Sequence, residues 1–67
     1  MASSNVRPPT ILVVDDDEGL LILMAEALRA DGYEVVTAGS AKAGRIALLQ
    51  HPPDLMLLDL KLQDSDG

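Results

Sequence analysis

The sequence predicts an α/β fold built on a parallel sheet, in the order β-α-β-α-β. Three observations carry this. Ile11-Leu12-Val13-Val14 and Leu55-Met56-Leu57-Leu58 are continuous apolar runs, each ending in an acid, and unbroken apolar runs are typical of strands buried on both faces of a parallel sheet. Between them, Leu20, Leu21, Met24, Ala27 and Leu28 recur at helical spacing. A second, weaker helical stretch and one more β-rich segment complete the alternation, which by default folds into parallel strands joined by right-handed crossovers.

The elements follow in order. Met1–Thr10 is polar, and Pro8-Pro9 disfavours helix, so residues 1–10 read as a flexible leader. The first strand, Ile11–Val14, stops at Asp15-Asp16-Asp17-Glu18. The first helix is expected over Glu18–Ala30, with acids at its positive end and Gly32 beyond its C-terminus. Glu34–Ala38 is a short strand. Ser40 is an N-cap candidate for a second helix, Ala41–Gln50, whose expected inner edge is Ala43, Ile46, Ala47 and Leu49 or Gln50. Gly44 weakens that helix, since a mid-helix glycine costs up to about 1 kcal/mol relative to alanine. His51-Pro52-Pro53 ends it. Leu55–Leu58 is the third strand, closed by Asp59, and Lys61–Gly67 is a polar loop. Met24 and Met56 read as core fillers, Tyr33 as packing where the first helix meets the second strand, and His51 as a solvated loop residue.

Composition narrows the function. Of 67 residues, 48% are hydrophobic, which suits a folded aliphatic core. Eleven acids against five bases give a net charge of −6, and the bases are scattered, which argues against nucleic-acid binding by this segment. There is no cysteine, so disulfides and thiolate metal sites are excluded. The leader has no apolar core of a signal peptide, and no apolar run approaches the length of a membrane span. The expected location is cytoplasmic.

In open parallel sheets, ligands bind beyond the carboxyl ends of the strands. The first strand ends in Asp15, Asp16 and Asp17, the third in Asp59. If these strands are neighbours, the acids converge there, and their repulsion calls for a cation. Mg²⁺ prefers oxygen ligands and commonly combines one or two carboxylates with phosphate oxygens. An Asp beside such an ion can serve as the nucleophile in phosphoryl transfer.

On these residues the chain resembles the receiver domains of two-component response regulators. The matching stretches are Ile11–Glu18, Asp31-Gly32-Tyr33-Glu34-Val35 and Leu55–Gly67. The resemblance implies the N-terminal half of a flavodoxin-like parallel sheet, strand order 2-1-3, with residues 11–67 a truncated receiver domain. It implies that Asp59 accepts a phosphoryl group from a phosphohistidine of a sensor histidine kinase, with Mg²⁺ as cofactor. Asp16 would be a direct metal ligand, Asp15 would hold a metal-bound water, and Asp59 and the backbone carbonyl of Lys61 would complete the site. Such a chain reacts at Asp59 and is not itself an enzyme. Gln63 stands where the family often has Pro, which leaves that loop less pre-set. The family's later phosphoryl-sensing Ser/Thr, its Lys and its aromatic switch residue have no counterpart here, and Lys61 is not that Lys. The segment alone is therefore expected not to switch. The apolar third strand, left with an open edge, is expected to promote self-association, for example a dimer with two third strands side by side.

Other readings compete. A structural or pseudo-receiver interaction module would share the fold without phosphorylation. Asp15-x-Asp17 is similar to the nucleophile motif of haloacid-dehalogenase-like phosphatases, but Gly19 stands where that motif needs Thr. Asp64-x-Asp66-Gly67 is similar to part of a calcium loop, but Leu62 falls at its first ligand position. Capping of a helix alone would explain one of the clustered acids, not the set.

Overall fold

A computed structural model describes residues 7–59 of the chain. The elements are β1 (Thr10–Asp15), α1 (Glu18–Ala30), β2 (Glu34–Ala38), α2 (Ala41–Gln50) and β3 (Leu55–Asp59). The sheet is parallel with order β2-β1-β3, as the family resemblance implies. Both helices and β2 span the residues expected. β1 is longer than expected by one residue at each end, taking in Thr10 from the expected leader, and β3 runs one residue further, so that Asp15 and Asp59 are the last residues of their strands rather than loop residues.

β1 is the core. Ile11 to Val14 are each no more than 4% exposed. Burying one such side chain contributes about 1.5–3 kcal/mol. Alternation of side chains splits β1 between two layers. Ile11 and Val13 pack with Leu21, Met24 and Leu28 of α1, whereas Leu12 and Val14 pack with Ala43 and Ala47 of α2. The two crossovers thus cover opposite faces of the sheet.

Local chemistry sets the helix ends. The Asp17 side chain caps α1 by accepting from the Leu20 N–H at 3.1 Å, and Ser40 caps α2 by accepting from the Ala43 N–H at 3.0 Å. At the end of α1 the chain reverses at Gly32, whose φ of 96° is open chiefly to glycine. The Tyr33 N–H then closes back on the Leu28 carbonyl at 3.1 Å. Asp54 fastens the start of β3 to β1. Its backbone N–H donates to the Thr10 carbonyl and its carboxylate accepts from the Thr10 N–H, both at 2.8 Å.

Three expectations need correction. The inner face of α2 holds the expected Ala43 and Ala47 but not the others: Gly44 is its buried residue, while Ile46 is 47% and Leu49 78% exposed. The reason is close approach, because a Cβ on Gly44 would lie 2.8 Å from Cγ2 of Val14. The glycine lets the helix backbone sit directly on β1. Met24 does pack against the core, but Met56 is 42% exposed. It lies on β3, which has β1 on one side and no strand on the other among the described residues. Tyr33, at the α1–β2 junction where it was expected to pack, is 37% exposed.

Candidate functional site

β1 connects first to β2 on one side, and the chain then returns across β1 to place β3 on the other. The crossovers therefore diverge at the carboxyl ends of β1 and β3, which is where open parallel sheets bind ligands. Asp15 and Asp59 are register partners at that position. Two carboxylates, 44 positions apart in sequence, thus end adjacent strands side by side.

Their environments differ sharply. Asp15 is 1% exposed, the one buried charged residue among those described. Its Oδ1 accepts from the Asp17 backbone N–H at 2.8 Å. Its Oδ2 is buried and has no hydrogen-bond partner. A buried carboxylate oxygen without a partner is costly, and a bound cation is one group that would offset that cost. Asp59 is exposed.

Asp16 is exposed at the tip of β1, directly after Asp15. Asp17 is committed elsewhere: its carboxylate caps α1 while its N–H holds Asp15. The expected convergence is therefore centred on the Asp15–Asp59 pair. Among the described residues, no three His, Cys, Asp or Glu side chains cluster as a ready metal cage. Lys61, whose backbone carbonyl the sequence reading places at the site, lies outside the described residues, as does the Asp64–Gly67 stretch. Asp17 is the residue whose positioning part the sequence reading did not single out. The signal was present, since an Asp three residues before Leu20 at a helix start is a cap pattern.

Among the described residues, no helix is long and apolar enough to cross a membrane. His51 is exposed and ends α2, its backbone N–H donating to the Ala47 carbonyl at 2.7 Å.

Residues 11–67 match the response regulator receiver domain family. Among curated proteins, the chain is 43% identical over 61 residues to the transcriptional regulatory protein GlrR of Escherichia coli K12, covering 91% of this chain and 14% of that protein. It is 36% identical over 67 residues to the probable transcriptional regulatory protein TcrX of Mycobacterium tuberculosis, covering 100% of this chain and 29% of that protein. It is also 36% identical over 59 residues to the photosynthetic apparatus regulatory protein RegA of Rhodovulum sulfidophilum, covering 88% and 32% of the two chains. The chain thus spans between 14% and 32% of the length of these relatives.

Proposed function

Because the chain belongs to the response regulator receiver domain family of two-component signalling, we propose that Asp59 is its phosphoacceptor and that a sensor histidine kinase is the donor. The observation that carries this is the pairing of exposed Asp59 with buried Asp15 at the carboxyl ends of adjacent strands. In the step, an Asp59 carboxylate oxygen attacks the phosphorus of the phosphohistidine. The bond from phosphorus to imidazole nitrogen breaks, and its electron pair stays on that nitrogen. The product is an acyl phosphate on Asp59 and a free histidine on the kinase.

Catalysis of such a transfer is mainly positioning and charge stabilisation. β3 presents Asp59 beyond the sheet, and its register with β1 fixes where the carboxylate starts. Asp15 is held through one oxygen by the Asp17 N–H, and its second oxygen has no backbone partner. Asp15, Asp16, Asp59 and the backbone carbonyl of Lys61 would hold Mg²⁺. The unpartnered Asp15 Oδ2 fits such an ion. When bound, Mg²⁺ supplies positive charge against the phosphoryl oxygens and relieves repulsion between the two acids.

The test uses an acyl phosphate as a small donor with Mg²⁺, read by intact mass. The chain is expected to gain one phosphoryl group and Asp59→Asn none. A gain that persists in Asp59→Asn would overturn the assignment. Far-UV circular dichroism is expected to be unchanged in Asp59→Asn, since the side chain is exposed.

A further inference from the structure

We propose that Asp17 is a positioning residue for the cation of this site: by capping α1 it fixes the backbone N–H that holds Asp15, and so leaves the second Asp15 oxygen for the metal. This rests on the reading of Asp15 as part of a cation site, and not on which acid accepts the phosphoryl group.

Asp17 is held at three points. Its backbone N–H donates to Oδ1 of Asp15 at 2.8 Å. Its carboxylate accepts from the Leu20 N–H at 3.1 Å, and its backbone carbonyl accepts from the Leu21 N–H at 3.0 Å. The Leu20 bond satisfies a first-turn donor that has no partner within the helix, and the Leu21 bond is the first of the helical ladder. α1 is fixed in turn, because the Leu21 side chain is buried and packs with Ile11 and Val13 of β1. A chain of contacts thus runs from the core of β1 through Leu21 to Asp17, and back to Asp15 at the end of the same strand.

These contacts set the conformation of Asp17. With φ −94° and ψ 107° it is extended, as a residue that caps a helix from outside must be. In that conformation its N–H turns back on the carboxylate two residues earlier. That is the one hydrogen bond of the Asp15 side chain among the described residues. Asp15 is 1% exposed, so bulk water does not orient it, and its Oδ2 is buried without a partner. Alanine at position 17 would have no side-chain oxygen to hold the Leu20 N–H, and it favours helical over extended backbone. The N–H would then be loosened from Asp15, and the Asp15 carboxylate would be free to turn.

Groups that orient a metal's ligands without touching the metal contribute to affinity, and their loss weakens binding by about 10–100-fold. Asp17→Ala keeps the N–H and only loosens it, so the lower end of that range, about tenfold, is expected.

The experiment titrates Mn²⁺, a divalent ion that like Mg²⁺ suits oxygen ligands, into the 67-residue chain and reads the free ion by electron paramagnetic resonance. Circular dichroism checks folding, and sucrose, which favours the folded state, is added to every sample if Asp17→Ala is partly unfolded. Two controls accompany it. Asp17→Asn removes the same charge as Asp17→Ala but keeps a cap, and is expected to bind within about threefold of the wild type, the effect of one exposed charge. Ser40→Ala removes the cap of α2, destabilises in the same way, and is expected to leave binding unchanged. Asp17→Ala binding as tightly as Asp17→Asn would overturn the proposal. So would Ser40→Ala losing as much affinity as Asp17→Ala, since the loss would then follow stability and not the hold on Asp15. A folded wild-type chain that binds no Mn²⁺ would overturn the cation reading itself, and the positioning part with it.

Discussion

At Asp15 the fold buries a carboxylate with one oxygen held by the Asp17 N–H and the other without a partner. This makes Asp15 a liability in the metal-free chain and an asset once a cation is present. Asp15→Asn keeps an oxygen for the Asp17 N–H and removes a buried charge. It is expected to raise the thermal midpoint without metal and to lose the stabilisation that added Mg²⁺ gives the wild type, by the ordinary linkage of ligand binding to folding. Thermal melts with and without Mg²⁺, each compared with a chelator control, check both halves. At Asp17 the expectation is simpler. Asp17→Ala removes the α1 cap and should destabilise by about 1 kcal/mol, read as a lower urea midpoint. The identity of these acids was legible in the sequence, because two apolar runs ended in them. Their unequal burial was not. It arises from register, which sets Asp15 as the last residue of the central strand and Asp59 as the last residue of β3, the outer strand on that side among the described residues.

Among the elements, α1, β2 and α2 were legible to the residue because caps, Gly32 and the two prolines after His51 mark their ends in chemistry that acts locally. The orientation of α2 was not legible. Its periodicity pointed to Ala43 and Ala47, which do face the core, but also to Ile46 and Leu49, which do not; the helix rests on Gly44, since close approach of its backbone to Val14 outweighs the pattern of its larger side chains. The glycine that counts against the helix in isolation is what lets it dock. Gly44→Ala gains up to about 1 kcal/mol in helix propensity but forces a methyl to within 2.8 Å of a branched, buried side chain, and overpacking of this kind costs about 1–3 kcal/mol. The net expectation is destabilisation of about 1 kcal/mol, measured by urea denaturation. A gain in stability would mean that α2 sits further from β1 than described.

At the scale of the whole sheet, burial follows strand position. β1 is closed over on both faces, whereas β3 has β1 on one side and, among the described residues, no strand on the other, and its Leu55, Met56 and Leu58 are 53%, 42% and 59% exposed. The fold class and the strand order could be anticipated, the first from alternation of elements and the second from the family resemblance. The exposure of Met56 could not, because an apolar run reads as buried whether or not a neighbour is there to bury it.

Asp59, and not another acid at the same end of the sheet, is the expected acceptor of the phosphoryl group. The most direct measurement is to treat the chain with an acyl phosphate and Mg²⁺, reduce with borohydride, and locate the modified residue by peptide mass mapping. Reduction converts an aspartyl phosphate to homoserine and so marks its position. Homoserine at position 59 and at no other aspartate is the expected result. Homoserine at position 15, 16 or 54, or at none, would contradict the account.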